Sequence, residues 1–297
     1  MVAVAQLVRA LGCGPGCWGF ESPQPPLIKF SEDEMSILES ITLGMLQGIT
    51  EFLPVSSSAH LVFTQTFFGL KQNMLFFDIL LHFATLLAVL VVFSNSIVEY
   101  LKSWRVVIYI ILATIPTGII GVVVKKNFSF VFESPKIAAL CLIITGLLLY
   151  FSESKYLKNK EEKIEIQNIS WLKSLIIGLF QGIAVLPGIS RSGATLSSSL
   201  ILNIKKEEAV KFIFIMSIPA ILGATLLEVK DFVNASGEIG SGFEFVYIYG
   251  LISAFVCGIL SLKFLVNLVQ KNRLKYFAYY CGVLGLAVLV LAFIYKF

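Results

Sequence analysis

The sequence predicts an all-α polytopic membrane protein, organised as an inverted repeat with about six transmembrane helices and two re-entrant helix–loop–helix hairpins. Composition is the first observation behind this. Of 297 residues, 57% are apolar and only 14% are charged, against roughly 45–50% and about 25% in a soluble domain. One water-soluble core cannot hold that excess, and a mean hydropathy of +0.86 agrees. The second observation is a series of apolar runs near the ~20 residues that a helix needs to cross a bilayer. The third is a pair of apolar regions, interrupted by Pro and Ser, that resemble one another.

In chain order, residues 1–34 stand apart. They hold Cys13, Cys17 and a cluster of prolines, and Gln6 and Arg9 interrupt the apolar centre a signal peptide would need. The expectation is a non-native or disordered extension, with Met35 opening the working chain. Residues 35–151 form the first repeat: a hairpin over 37–70 and spans at 76–94, 104–124 and 135–151. Residues 152–170, rich in Lys and Glu, read as a solvated cytoplasmic linker. Residues 171–297 form the second repeat, with a hairpin over 171–204 and spans at 208–229, 243–269 and 276–295. Each hairpin has Pro and Ser in mid-region, which break the helix and free backbone groups that lipid cannot satisfy. Such segments persist only where protein or a water-filled cavity surrounds them.

The repeat rests on particular residues. Gly44-Met45-Leu46-Gln47-Gly48-Ile49 aligns with Gly178-Leu179-Phe180-Gln181-Gly182-Ile183, and Leu53-Pro54 aligns with Leu186-Pro187. Ser57 and Ser190 each fall three positions after the proline. With three spans per copy, the second copy enters the membrane inverted, and such folds bring their broken helices together near the midplane. Thirteen Lys and Arg residues then lie on one side, among them Lys102, Lys160 and Lys271, against six on the other: Lys71, Lys125, Lys126, Lys136, Lys230 and Lys296. The positive-inside rule makes the first side cytoplasmic. The basic residues form no single patch, which excludes nucleic acid as a partner. Cys141, Cys257 and Cys281 sit in apolar runs and read as small hydrophobes.

Ionisable groups within a membrane cost at least ~2.5–3.5 kcal/mol unless partnered, so each one needs a reason. They concentrate in the hairpins. Gln47 and Glu51 share one helical face, followed by Ser56, Ser57, Ser58 and His60; the second hairpin supplies Ser190, Arg191, Ser192 and Thr195. The set suits phosphate chemistry. A guanidinium matches phosphate oxygens with paired donors, and hydroxyls with freed backbone N–H groups add more. Glu51, with Gln47 as a neutral oxygen ligand, suits Mg²⁺ or Ca²⁺ against a diphosphate. His60 suits proton transfer, and Ser57 is a nucleophile or a hydrogen-bond donor. The plainer readings are an ion pair of Glu51 and Arg191 that locks the hairpins, and serines that satisfy broken backbone. The Gly44/Gly48 and Gly178/Gly182 pairs read as packing faces. His82 reads as a hydrogen-bonded core histidine, with contact to the site as the alternative, Asp78 as a residue that meets water, and Glu228 as interfacial.

The stretch from Gln47 to His60 resembles the (Glu/Gln)-xxx-Glu signature of the undecaprenyl-pyrophosphate phosphatases of the bacitracin-resistance type. Pro187-Gly188-Ile189-Ser190-Arg191-Ser192-Gly193-Ala194-Thr195 resembles that family's second signature, Pro-Gly-x-Ser-Arg-Ser-xx-Thr. The resemblance covers about residues 36–296 and includes Leu81-His82-Phe83-Ala84-Thr85. It implies hydrolysis of undecaprenyl diphosphate to the monophosphate, an inverted-repeat fold in the bacterial plasma membrane, and a divalent cation. It implies a site opening toward the outer face, with a polyprenyl diphosphate lipid as substrate and membrane lipids around it. Glu51 would serve metal binding or catalysis, with Gln47 beside it. Arg191 would clamp the diphosphate with Ser190, Thr195, Ser56 and Ser192. His60 and Ser57 would be the acid/base and nucleophile candidates. A homodimer is left open. The rival class is a lipid-carrier flippase or a secondary transporter of an anion, since broken helices in inverted repeats also serve alternating access.

Overall fold

The computed structural model describes residues 35–68, 74–127, 134–236 and 244–294. The expectation placed on residues 1–34 lies outside these, as do Lys71, Lys296 and the side chains of Lys125, Lys126 and Glu228. Among the described residues there are eleven α-helices and no strand.

The first hairpin is α1 (Ile37–Phe52) and α2 (Ser57–Phe67). A capping box opens α1: Glu39 N–H donates to Ser36 Oγ at 3.2 Å while Ser36 N–H donates to the Glu39 carboxylate at 2.8 Å. The break at Leu53-Pro54-Val55 follows, and Ser56 sits in the left-handed region at φ 68°, a costly place for a residue with a side chain. Next come α3 (Met74–Val92), bent by 72° into α4 (Ser94–Lys102), then α5 (Trp104–Asn127) and α6 (Pro135–Lys158). The second hairpin is α7 (Trp171–Ile183) and α8 (Arg191–Ile201), followed by α9 (Lys206–Ser236), α10 (Val246–Gln270) and α11 (Lys275–Ile294). Five helices are long and apolar enough to cross a membrane, and the bent pair α3/α4 makes up to six. The chain is thus a multi-pass membrane protein. Its outer surface carries apolar side chains such as Leu226 and Val283, about 70% exposed (69% and 70%) and placed to meet lipid.

Packing pairs the halves reciprocally. The first arm of hairpin one, α1, lies on α10 of the second half; the first arm of hairpin two, α7, lies on α5 of the first half. Both contacts run through the glycines read as packing faces. A Cβ on Gly44 would stand 2.2 Å from the Gly250 carbonyl oxygen, and one on Gly178 would stand 2.2 Å from that of Ala113. α3 packs on α10 and α9 on α5, again in exchange, while α3 meets α9 and α6 meets α11. The two hairpins are thereby held against the spans of the opposite half, with their breaks brought together.

The polar second arm shows how such a segment persists. Every residue of α8 from Ser192 to Leu200 is buried in protein. Its hydroxyls turn to backbone carbonyls: Ser198 and Ser199 both donate to Thr195 O, at 2.9 and 2.8 Å. Ser197 receives a 3.1 Å bond from Ser152.

The α6 span runs past its hydropathy limit. α6 continues to Lys158 because nothing in Ser152–Lys158 breaks a helix, and Lys155 and Lys158 suit its C-terminal dipole. That extension has a task. The buried Glu153 carboxylate accepts the N–H groups of Leu274 and Lys275, at 2.9 and 3.1 Å, capping α11. The linker is likewise more tied than a solvated loop: Ile166 and Ile169 are buried, and Lys163 Nζ donates to Asn203 Oδ1 at 2.7 Å. At its edge a 2.6 Å hydrogen bond from Lys205 holds the Glu165 carboxyl below its ordinary range and raises the lysine.

Candidate active site

Glu51 is the hub. It ends α1 just before the Pro54 break, with its side chain only 4% exposed. Arg191, the first residue of α8, donates from Nη2 to Glu51 Oε1. Ser57, the first residue of α2, donates from Oγ to Glu51 Oε2 at 2.7 Å, and Gln47 donates from Nε2 to the same oxygen at 3.1 Å. Both breaks therefore deliver a side chain to one carboxylate. The guanidinium remains 24% exposed, so part of its donor fork is open to an arriving anion.

The second break is built for this approach. Gly188 has φ +89°, and a Cβ there would fall 2.0 Å from the Ala138 carbonyl oxygen. Only glycine permits both the turn and the contact. Ser190 caps α8 by accepting Gly193 N–H at 3.2 Å, and its own N–H donates to Thr145 Oγ1 at 3.1 Å. Ser192 Oγ reaches across to the Leu53 carbonyl at 3.1 Å, tying one break to the other. Arg191 thus stands at a capped helix N-terminus, where orphan N–H groups and the helix dipole favour anions.

The remaining predicted residues are placed as follows. Ser56 Oγ lies 3.3 Å from Ser58 Oγ. Thr195 turns back to its own helix, donating to Arg191 O at 2.7 Å. His60 Nδ1 donates to Ser56 O at 2.8 Å, and its Nε2 lies 2.6 Å from the Tyr280 hydroxyl. The two rings stack with centroids 5.9 Å apart. His60 thus joins the rim of the site through α11 rather than the Glu51 carboxylate.

One sequence expectation is extended and one is corrected. His82 is more than a core histidine: Nδ1 donates to Asp78 O at 2.8 Å, and Nε2 faces Glu51 Oε2 at 3.9 Å. Asp78 does not meet water; it is 1% exposed and accepts Gln65 Nε2 at 2.7 Å. Hydropathy placed it near a span end, but α2 folds over that end and covers it.

The donor set has the chemistry that would suit a hard cation. Gln47 Oε1 is buried without a hydrogen-bond partner, while the other end of that amide is anchored on Glu51. An oxygen ligand beside one carboxylate, completed by water and substrate phosphate, is how Mg²⁺ is usually held. Among the described residues no three His, Cys, Asp or Glu side chains form a metal cage.

Comparison with known proteins shows the family. The family model described as bacitracin resistance protein BacA matches residues 40–287. The chain belongs to the BacA family. A relative named undecaprenyl-diphosphatase from Carboxydothermus hydrogenoformans is 40% identical over 265 residues, covering 89% of this chain and all of the relative. Relatives of the same name from Alkaliphilus metalliredigens (40% identical; 86% of this chain, 98% of the relative) and Methanobrevibacter smithii (37%; 86% and 97%) span nearly the same length. In this BacA-family chain, sequence reading missed Tyr280, Thr145 and the role of His82. Tyr280 looks like any interfacial tyrosine, and nothing in the sequence links it to a residue 220 positions away.

Proposed function

We propose that this chain is an undecaprenyl-diphosphatase, an integral membrane hydrolase that converts undecaprenyl diphosphate to undecaprenyl phosphate and inorganic phosphate. This recycles a cell-wall lipid carrier and fits the bacitracin resistance in the family's name. One observation carries the reading: Ser57 Oγ donates to a carboxylate whose other oxygen is held by Arg191. A hydroxyl with a base on its proton and a guanidinium next to it is arranged for attack on phosphorus. A carrier that only moved the lipid would need no such hydroxyl.

The terminal phosphate competes with Glu51 for Arg191 and settles at the α8 N-terminus. Ser57 passes its proton to Glu51 as Oγ bonds to the terminal phosphorus, and the phosphoanhydride bond breaks to release the prenyl monophosphate. Glu51 hands that proton to the departing monophosphate; water then attacks the phosphoserine, Glu51 takes a proton from the water and returns it to Ser57 Oγ, and inorganic phosphate leaves. His60, held by Ser56 O and Tyr280, supplies or removes protons at the rim. A divalent cation, Mg²⁺ or Ca²⁺, belongs to the proposal; Glu51 and Gln47 Oε1 would hold it, and bound there it neutralises phosphate charge. Ser190, Ser192, Ser56 and Thr195 shape the anion's seat.

The proposed setting is the bacterial plasma membrane, with the C55 tail in lipid and the site opening outward. A homodimer remains part of the proposal, and crosslinking in native membranes tests it. The activity is tested by phosphate release from undecaprenyl diphosphate with purified protein, with and without chelator. Release that stops on chelation and returns with the cation supports the reading. No release under either condition, with lipid movement in liposomes, assigns the chain to the carriers instead.

A further inference from the structure

We propose that His82 is a third protein ligand of that divalent cation, alongside Glu51 and Gln47, an assignment that rests on the cation belonging to the site. The argument starts with the ring's other nitrogen. Nδ1 lies 2.8 Å from the Asp78 carbonyl oxygen, which can only accept, so Nδ1 carries a hydrogen and Nε2 is the ring nitrogen turned toward Glu51. A backbone carbonyl on the far nitrogen is the usual arrangement behind a metal-ligating imidazole, because it fixes both tautomer and ring direction.

Nε2 faces Glu51 Oε2 at 3.9 Å. That is too long for a hydrogen bond, and a charge-assisted one would close to about 2.7–2.9 Å. A cation shared by Nε2 and Oε2 would hold these two atoms face to face at that separation. Ligand bonds of roughly 2.0–2.2 Å let two donors of one ion stand up to about 4.4 Å apart, so the gap accommodates a shared cation. Gln47 supplies an independent observation. Its Oε1 is fully buried, lacks a partner and belongs to an amide already fixed on Oε2. Arg191 occupies the opposite oxygen, and Oε2, which accepts Ser57 Oγ and Gln47 Nε2, is the oxygen facing His82. His60 cannot take this part while its Nε2 holds Tyr280 at 2.6 Å.

The donor set is then one imidazole nitrogen and two oxygens. Ca²⁺ takes oxygen ligands, whereas imidazole suits first-row transition ions. Mn²⁺ is therefore the probe, and it should bind more tightly than Ca²⁺.

The test is pulsed electron paramagnetic resonance of Mn²⁺ bound to the purified full chain in detergent, without substrate. The expected spectrum shows a single imidazole nitrogen coupling that shifts when histidine is labelled with ¹⁵N in the unaltered protein. The coupling persists in His60→Ala and vanishes in His82→Ala, with Mn²⁺ affinity down at least tenfold. Bound Mn²⁺ without nitrogen coupling, or with a coupling lost in His60→Ala, overturns the His82 assignment and leaves the cation in place. Failure of the unaltered protein to bind Mn²⁺ at all removes the cation and the assignment together.

Discussion

Glu51 and Arg191, 140 residues apart, are paired side chain to side chain where the breaks of two different hairpins meet. The pair closes the reciprocal packing of the halves and puts charge inside a protein that is otherwise mostly apolar. Burying such a pair is a poor route to stability, since well-packed apolar replacements are often neutral or better. Its presence therefore points to chemistry.

The first prediction separates locking from catalysis. Arg191→Ala strands a buried carboxylate and should destabilise the protein by about 3–5 kcal/mol in a detergent melt. The double variant Glu51→Leu/Arg191→Leu should melt at or above the wild-type temperature. Neither should release phosphate. Phosphate release by the double variant would reduce the pair to a structural lock.

The second concerns Ser57. Ser57→Ala should lower turnover by about 10³-fold or more, as loss of a nucleophile does. Acid quench of wild type with substrate labelled in the terminal phosphate should trap label on the protein, and Ser57→Ala should trap none. Fast turnover by the alanine variant would make water the direct nucleophile.

Gly188 offers a test of the second break. At φ +89° and against the Ala138 carbonyl, Gly188→Ala combines backbone strain with a clash and should cost about 2–4 kcal/mol. Thermal unfolding measures it. A neutral result would mean that the turn relaxes freely and does not position Arg191.

Orientation is read by cysteine accessibility. Lys160→Cys and Lys271→Cys, both at exposed positions, should react with an impermeant maleimide only from the cytoplasmic side. Phe245→Cys, at 82% exposure before α10, should react from outside. The opposite pattern would invert the proposed topology and turn the site inward.

The sequence made some of this legible for physical reasons. Polar groups are expensive in lipid, so Glu51, Ser57 and Arg191 stood out against apolar surroundings, and the Gly-xxx-Gly pairs announced close helix packing. Hydropathy located the spans but not their ends: α6 runs on through Glu153 because that carboxylate caps α11, a contact between distant segments. The burial of Asp78 and the approach of His82 to Glu51 are hidden for the same reason. Their surroundings are set by α2 and by Glu51, and a helix read alone shows neither. Tyr280 left no signal, because an interfacial tyrosine is ordinary until a histidine is placed beside it.

The most direct measurement is steady-state phosphate release from undecaprenyl diphosphate by Glu51→Gln, which keeps the size of the side chain and removes its charge. The account predicts a rate at least ~10³-fold below wild type, with the helical fold retained by circular dichroism. A rate near wild type in that folded variant would contradict it, because neither Ser57 nor Arg191 would then depend on the carboxylate that joins them.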